Sequence, residues 1–210
     1  MSEIQKPRSG LDTTYPVMEH FYTLQGEGLY SGQAAYFIRL GGCDVGCVWC
    51  DVKDSWDAAA HPLMTVEQLV DVAAGFPARI VVITGGEPAL HNLEDLTHGL
   101  KAAGFRIHIE TSGSSALSGQ LDFVTLSPKK FKAAIPEALK AANELKVVIF
   151  HKSDFEFAQH HAAMVSDTCI LYLQPEWSKQ EIMSPLIIDY IHAHPKWRLS
   201  LQTHKYLNIP

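Results

Sequence analysis

The sequence has little that would place the protein in a membrane or outside the cell. It contains no run of about 18 apolar residues, which a membrane-spanning helix would need. Residues 1–10 have no apolar core of the kind found in secretory signal peptides, so we expect a cytoplasmic protein. Only four cysteines occur among 210 residues, and the expected reducing compartment argues against a disulfide framework.

The sequence also lacks the clustered positive charge of a nucleic-acid-binding protein. The formal net charge is -6, and lysines and arginines are scattered along the chain. An extended surface that neutralises phosphates needs such residues together, so nucleic acid is not expected as a direct partner. No internal repeat or low-complexity linker divides the chain. We expect one domain at residues 18–210, preceded by a flexible segment at residues 1–17.

Apolar, β-branched runs predict the fold. They occur at residues 35–40, 79–84, 105–110, 123–127, 146–150, 170–174 and 198–202. The runs mostly alternate with helical patterns, which predicts right-handed crossovers and a parallel sheet. A complete eight-stranded barrel usually needs about 250 residues. We therefore predict an α/β fold, an incomplete parallel β/α barrel of about six to seven strands.

Capping residues mark the helix ends. Thr65 with Gln68, and Ser153 with Glu156, have the spacing of capping boxes. A leucine stripe over residues 93–100 is closed by Gly104. Ser184 and Pro185 predict a further helix over residues 186–194.

Chemically distinctive segments follow the predicted strands. They lie at residues 43–50, 85–88, 110–113, 127–129, 174–177 and 202–206. The carboxyl ends of parallel barrel strands share one face, so segments that are remote in sequence should converge on one mouth. The sequence therefore predicts a single site at that mouth.

Three cysteines form the most informative motif. Cys43, Cys47 and Cys50 lie within eight residues, and no fourth ligand is nearby in sequence. On an iron–sulfur cube, three thiolates leave one iron open to an outside ligand. A structural zinc site needs four ligands, usually in close pairs, and only Cys47 and Cys50 have that spacing; a non-catalytic zinc module remains an alternative. Cys169 lies in an apolar run and is expected to be a small core residue.

The Cys-x3-Cys-x-aromatic-Cys pattern, with Trp49 as the aromatic residue, resembles the radical S-adenosylmethionine (SAM) superfamily. The resemblance implies that residues 18–210 are a radical SAM catalytic domain with a [4Fe-4S] cluster on Cys43, Cys47 and Cys50. Such clusters cleave bound SAM to a 5′-deoxyadenosyl radical, and the cofactor performs the difficult step. An electron donor such as flavodoxin or ferredoxin is also implied.

Further residues resemble the SAM contacts of that superfamily. The implied set is Trp49, Asp51, Gly85, Gly86, Glu87, Ser127, Pro128, Lys129, Gln174, Pro175 and Glu176. Within it, the Gly-Gly-Glu-Pro segment is expected to bind the amino group of SAM, because glycine lets backbone carbonyls approach an ammonium. Trp49 is expected to lie against the adenine.

Both ends of the chain resemble one family, the 7-carboxy-7-deazaguanine synthases, from Met18 to Pro210. Members of this family are homodimeric carbon–nitrogen lyases of queuosine biosynthesis, the pathway to a tRNA modification. It rearranges 6-carboxy-5,6,7,8-tetrahydropterin with loss of ammonia. The implied substrate-binding residues are Leu24, Gln25, Gly26, Glu27, Arg39, Thr84, His204 and Pro210.

The chemistry of these side chains agrees with the implied substrate-binding roles. Arg39 can bind a carboxylate bidentately, while Gln25 and Glu27 can meet the donor-rich edge of a pterin. By resemblance, the terminal carboxylate of Pro210 reaches the substrate. A different radical SAM enzyme, such as a glycyl-radical activase, would share the cluster motif without requiring these termini, and it remains an alternative.

One position departs from the family pattern. Asp51 is usually followed by Thr, whose hydroxyl binds an active-site Mg²⁺; here Val52 offers no oxygen. Asp51 and Ser55 lie near in sequence and could contribute oxygens. The sequence leaves open whether the metal site is weakened or absent.

Overall fold

The structure is a computed structural model and describes residues 10–210. Its strands are β1 Thr14–Leu24, β2 Ala34–Leu40, β3 Leu63–Thr65, β4 Ile80–Gly85, β5 Arg106–Thr111, β6 Phe123–Leu126, β7 Glu144–Ile149, β8 Ile170–Pro175 and β9 Trp197–Leu199. Its helices are α1 Val66–Ala74, α2 Glu94–Ala102, α3 Pro136–Ala141, α4 Asp154–Ala162, α5 Gln180–Ala193 and α6 Thr203–Leu207. No helix among the described residues is long and apolar enough to cross a membrane.

The strands form one sheet in the order β3-β1-β2-β4-β5-β6-β7-β8-β9. Pairing is parallel from β2 through β9, whereas β1 runs antiparallel to both β2 and β3. All seven predicted runs are strands, so the incomplete parallel barrel is confirmed. The sheet has nine strands rather than six or seven, because β1 and β3 add an antiparallel edge.

The predicted flexible segment at residues 1–17 needs correction where it overlaps β1. Tyr15 and Val17 are only 3% and 1% exposed, so residues 14–17 belong to the folded core. The rest of that prediction, residues 1–9, lies outside the described residues. The strand was missed because it contains Pro16 and changes register between Val17 and Glu19, which interrupts the period-two pattern.

Helices cover the outer face of the sheet in two apolar clusters. One joins β2, β4 and β5 to α1 and α2, with Ile83 and Leu96 fully buried. The other joins β6, β7 and β8 to α4 and α5, with Leu145 and Ile187 at its centre. Cys169 is buried in this second cluster, as the sequence predicted.

The opposite face of the strands is polar near their carboxyl ends. Successive strand residues point to opposite faces, so side chains between the core positions face the lumen. Arg39, Thr84, Glu110, Lys146 and Gln174 are such residues on five strands, and all line one cavity. The strands thus place polar and charged side chains at the mouth, whereas the apolar side chains on their other face pack against the helices.

The sheet does not close on itself, and residues 25–30 lie across its lumen. The Gly28 amide donates to Ser200 Oγ at 3.0 Å, and the Leu29 amide donates to a Glu144 carboxylate oxygen at 2.8 Å. The Tyr30 ring packs against His108, with a centroid separation of 4.4 Å. This segment therefore joins both sides of the open barrel.

One predicted capping box forms and the other does not. The Gln68 amide donates to Thr65 Oγ1 at 3.1 Å, and the Thr65 amide donates to Gln68 Oε1 at 2.9 Å. At α4 the Ser153 side chain makes no cap bond; Asp154 instead accepts from the amides of Phe150 and His151, at 2.8 and 2.6 Å. A charged acceptor binds amides more strongly than a hydroxyl does, so Asp154 fixes this turn.

The helix predicted over residues 186–194 begins earlier than expected. The observed helix is α5, which starts at Gln180 and contains Pro185 in its second turn. Burial of Met183 and Ile187 against the second cluster stabilises both turns around the proline. Packing therefore outweighs the tendency of Ser184 and Pro185 to start a helix.

Candidate active site

A cavity of about 260 Å³ opens at the carboxyl ends of the strands. It brings together almost all of the predicted site residues: Leu24, Gln25, Gly26, Glu27, Arg39, Cys43, Cys47, Trp49, Cys50, Asp51, Val52, Thr84, Gly85, Gly86, Glu87, Ser127, Lys129, Gln174, Glu176, His204 and Pro210. These residues come from both termini and from most of the strands between. The predicted convergence on one mouth is confirmed.

Three predicted residues do not line this cavity. Pro128 lies in the wall of a neighbouring cavity, and Pro175 is buried where β8 pairs with β7. Ser55 is 0% exposed, and its hydroxyl donates to the Val52 carbonyl at 2.6 Å. Ser55 therefore offers no oxygen to an ion in the main cavity.

The cysteine loop forms one wall of the cavity. Its fold is fixed by backbone bonds from Gly42 to Ser55 at 2.7 Å and from Cys43 to Trp56 at 3.1 Å. Burial raises the pKa of the Cys47 thiol, the Lys129 ammonium lowers it, and the neighbouring Cys50 and Cys43 raise it further. The three sulfurs are therefore close enough to interact electrostatically.

The donor set fits an iron–sulfur cluster with one open iron. Three soft thiols face a cavity that continues beyond them. Within residues 10–210, no three His, Cys, Asp or Glu side chains surround a single metal-ion position. Thiolates of a cube bind different irons, so they need not converge on one point.

The Gly-Gly-Glu-Pro segment is packed directly against the cysteine loop. The Glu87 amide donates to the Gly42 carbonyl at 2.8 Å, and the Gly86 amide donates to the Leu40 carbonyl at 3.1 Å. A Cβ atom on Gly86 would lie 2.4 Å from the Gly42 oxygen and 2.7 Å from the Cys43 Cβ. Glycine is required here because two backbone segments touch.

We expect Gly86→Ala to lose its cluster. The added methyl group would push the cysteine loop away, and overpacking of this kind costs about 1–3 kcal/mol. Iron content after anaerobic reconstitution should fall well below that of wild type. Gly32→Ala is the control, since Gly32 has a φ of +86° but meets no atom within 4 Å of an added Cβ. Equal iron content in both variants would contradict the packing role.

Glu87 joins the ends of two strands. It is 1% exposed, and its carboxylate accepts from Thr111 Oγ1 at 2.5 Å, from the Ser112 amide at 2.7 Å and from the Ser112 hydroxyl. The Ala89 amide donates a fourth bond at 3.0 Å. Both oxygens thus hold the β4 and β5 exit segments together beside the cavity.

Trp49 and Lys129 stand between the main cavity and a second one of about 200 Å³. Phe131, Phe150 and Phe157 give the second cavity an aromatic lining. Lys129 Nζ donates to the Ser127 carbonyl at 2.7 Å and lies 5.6 Å from the Trp49 ring centroid. Burial lowers the pKa of Lys129, while the Cys47 thiolate opposes that change.

Glu27, also in the cavity wall, is held by donors from two distant parts of the chain. Lys146 Nζ donates to one of its oxygens, and Gln202 donates to the other at 2.9 Å. Burial alone would raise the pKa of Glu27, but the charge and hydrogen bond of Lys146, with help from Gln202, lower it to about 2. Glu27 is therefore ionised near neutral pH.

The C-terminal segment forms the adjoining part of the cavity wall. A Cβ atom on Gly26 would lie 2.1 Å from His204 Nδ1, so the imidazole rests on the bare glycine backbone. Asn208 adopts a left-handed conformation with φ +53°, and the Ile209 amide donates to the His204 carbonyl at 3.1 Å. This turn brings Pro210 to the cavity wall.

Two ion pairs tie cavity residues to their surroundings. Arg39 Nε donates to Glu19 Oε1 at 2.6 Å, and the Arg39 side chain is 19% exposed. Lys205 Nζ donates to Asp51 Oδ2 at 2.6 Å, which links the C-terminal helix to the cysteine loop. Asp51 thus couples the two ends of the cavity.

Sequence reasoning missed several cavity residues, among them Glu110, Lys146 and Gln202. Glu110 and Gln202 lie in segments noted as distinctive, but no role was predicted for them. Lys146 stands in an apolar strand and is 3% exposed. A lysine in such a run is an available signal, because lysine is rarely buried without a partner.

Comparison with known proteins agrees with this geometry. A family model described as the radical SAM superfamily matches residues 37–150. A 7-carboxy-7-deazaguanine synthase from Flavobacterium psychrophilum is 55% identical, covering 93% of this chain and 92% of its own. One from Escherichia coli is 39% identical, covering 93% and 99%. The crystal structure of QueE from Escherichia coli superposes with a TM-score of 0.83 at 37% identity, covering 91% of this chain and 95% of that one.

Fold, cysteine loop and family match together define a radical SAM enzyme. The similarity to each of these relatives extends over 93% of the chain. Within that superfamily, the chain belongs to the 7-carboxy-7-deazaguanine synthase family.

Proposed function

We propose that the protein converts 6-carboxy-5,6,7,8-tetrahydropterin to 7-carboxy-7-deazaguanine with loss of ammonia, as a carbon–nitrogen lyase of queuosine biosynthesis. The observation that carries the proposal is one cavity lined by the three thiols together with Gln25, Glu27, His204 and Pro210. Membership of the family supports the same reaction.

Cys43, Cys47 and Cys50 would hold a [4Fe-4S] cluster, with SAM bound beside it. When bound, these groups supply a 5′-deoxyadenosyl radical that can remove a hydrogen atom from the substrate. The Gly85–Gly86 backbone is proposed to accept from the SAM amino group, while Glu87 positions that backbone through its bonds to Thr111 and Ser112.

The remaining cofactor contacts follow the shape of the site. The adenine is proposed to enter the second cavity against Trp49, because the aromatic side chains in its lining can stack on a flat ring system. Lys129 would contact SAM at the boundary between the two cavities and Ser127 beside it, and Gln174 and Glu176 would do so from the end of β8 and the residue after it.

The substrate would occupy the charged end of the main cavity. Arg39 uses Nε for Glu19 and is proposed to offer its terminal nitrogens to the substrate carboxylate. Glu27 and Gln25 would bind the N–H edge of the pterin, with Leu24, Gly26 and Thr84 forming the wall. His204 and the Pro210 carboxylate would close the cavity and exclude water.

Magnesium dependence is expected to be weak, because Val52 lines the cavity without offering an oxygen. Mg²⁺ needs about six oxygens near 2.1 Å, and water can replace one lost ligand at a cost in affinity. Of the nearby candidates, Asp51 lines the cavity and Ser55 does not. The substrate carboxylate, water and Asp51 are the proposed remaining ligands.

Val52→Thr should therefore saturate at lower magnesium than wild type, since it restores the hydroxyl without changing the side-chain shape much. The measurement is a magnesium titration of EDTA-treated enzyme with an intact cluster. Matching iron content in both proteins is the control. Superimposable titration curves would show that residue 52 does not face the metal.

Electron supply, assembly and location complete the proposal. A flavodoxin or ferredoxin would reduce the cluster, and the protein would form a homodimer by analogy with its family. The reaction would take place in the cytoplasm, where cysteines stay reduced.

Substrate competition tests this function against glycyl-radical activation, which shares the cysteine motif. Cluster-loaded protein is incubated anaerobically with SAM and reductant, and with either the pterin or a glycine-containing peptide from a glycyl-radical enzyme. We expect the pterin alone to stimulate 5′-deoxyadenosine formation. Stimulation by the peptide, with none by the pterin, would overturn the proposal.

A further inference from the structure

Lys146 is a buried charge for which the proposed chemistry gives no role. It lies on β7 facing the lumen and is 3% exposed. Its Nζ donates to Glu27 and, at 3.1 Å, to Glu110 Oε2. The two carboxylates come from distant parts of the chain, since Glu27 follows β1 and Glu110 lies near the end of β5. One ammonium therefore connects them.

The carboxylates of Glu27 and Glu110 are both hydrogen-bonded, but each can accept further hydrogen bonds. Gln202 donates to Glu27 at 2.9 Å, and Gln25 donates to Glu110 at 3.0 Å, each to the oxygen that Lys146 does not bind. A carboxylate oxygen can accept two hydrogen bonds, so each keeps capacity for another donor. Both residues line the cavity. Together they can accept from a flat edge that carries several N–H groups.

The charge balance depends on Lys146. A third carboxylate, Glu144, is 2% exposed and accepts from the Leu29 amide at 2.8 Å, away from the proposed ligand. Three carboxylates thus surround one ammonium. Without it, burial would favour protonation of Glu27, whose pKa Lys146 holds down.

The charged groups around Glu27 come from every neighbouring element. Lys146 and Glu144 face it from β7, Glu110 from β5, His204 from α6 and Lys129 from the β6 exit. Burial lowers the pKa of Lys146, but Glu110 and Glu27 more than offset this and raise it. The ammonium therefore keeps its charge at every pH at which the enzyme would work.

We propose that Lys146 is a positioning residue that binds Glu27 and Glu110 at once and holds their carboxylates at a fixed separation, as a paired receptor for the N–H edge of the pterin. Selectivity then comes from the pair, because a ligand lacking those donors would leave two partly buried carboxylates without the hydrogen bonds they could accept. This inference rests on the function proposed above. It adds a residue that does not itself need to touch the substrate.

Lys146→Met tests the proposal, with Lys146→Arg as the variant that keeps the charge and Lys140→Met as an exposed lysine control. We expect the KM for the pterin to rise about 10- to 100-fold in Lys146→Met, which corresponds to one lost charge-assisted hydrogen bond. Iron content and SAM binding should match wild type. Lys146→Arg should recover much of the loss.

The pH profile separates positioning from support of the fold. In wild type, Glu27 has a pKa of about 2, so its protonation does not lower kcat/KM on the acid side of the working pH range. In Lys146→Met its pKa should rise, because the ammonium that most strongly opposes the effect of burial is gone and only Gln202 and His204 still lower it. Pterin affinity should then fall as pH decreases through the neutral range and recover as pH increases.

If Lys146 only supported the fold, Lys146→Met would lower iron content and kcat without adding an acid limb to the pH profile. This result would overturn the inference. If Lys146→Met does not fold, Lys146→Gln replaces it in the test, because glutamine retains N–H donors without the charge. The inference then requires Lys146→Gln to show the same new acid limb in its pH profile. Failure of wild type to turn over the pterin would overturn the proposed function instead. Unchanged KM and pH profile in the variants, beside an active wild type, would remove only the role of Lys146.

Discussion

Replacement of Cys43, Cys47 or Cys50 by alanine, one at a time, is expected to abolish iron binding and SAM cleavage together. Three thiols face the cavity, and no other cysteine among residues 10–210 lines it. Loss even of a residue that only orients a metal ligand costs about 10- to 100-fold in metal affinity or activity. Loss of a ligand should therefore reduce SAM cleavage by more than about a hundredfold. Iron, sulfide and 5′-deoxyadenosine are measured on anaerobically prepared protein.

Cys169 supplies the matched control. It is 8% exposed within the core between the sheet and the helices, and burial, with the Glu144 charge, raises the pKa of its thiol to about 11. Cys169→Ala should retain iron, sulfide and activity. Stoichiometric zinc with negligible iron in wild-type protein would contradict the account and support the zinc-module alternative.

Changes at the carboxy terminus are expected to have the next largest effect. Pro210 lines the cavity, and the turn at Asn208 directs the chain end there. A short C-terminal tag, or deletion of Ile209 and Pro210, would displace or remove a carboxylate proposed to bind the pterin. A hydrogen bond to a charged group contributes about 1.5–3 kcal/mol, so the KM for the pterin should rise about tenfold or more.

SAM binding should survive these changes, because they leave every residue of the cysteine loop and of the Gly-Gly-Glu-Pro segment in place. Asn208→Gly is the control for the turn, since glycine adopts positive φ without a steric penalty. It should keep the KM of wild type. An unchanged KM in the tagged and truncated proteins would show that the chain end is only surface.

The sequence was sufficient to predict the general architecture, because strand alternation and strand-end polarity are local signals. All seven parallel strands were predicted, as was the convergence of remote segments on one mouth. Strands β1 and β3 were missed, because Pro16 and a register shift interrupt the first and the second has only three residues. An edge strand depends on its partner more than on its own pattern.

The details of the site that were missed depend on contacts between distant residues. The two glycines before Glu87 were predicted from their permissive backbone, but the reason Gly86 has no side chain is contact with Gly42 and Cys43. Ser55 lies near Val52 in sequence, yet its hydroxyl is used by a backbone carbonyl. Lys146 could be recognised as unusual from the sequence, but its partners Glu27 and Glu110 could not. Such pairings emerge only when the sheet forms.

The most direct test of the central claim is the product of one anaerobic reaction. Cluster-loaded wild-type protein is given SAM, a reductant and 6-carboxy-5,6,7,8-tetrahydropterin, and the products are identified by mass spectrometry together with an assay for ammonia. We predict 7-carboxy-7-deazaguanine and an equal amount of ammonia, both dependent on SAM. SAM-dependent 5′-deoxyadenosine without any deazapurine or ammonia would contradict the account.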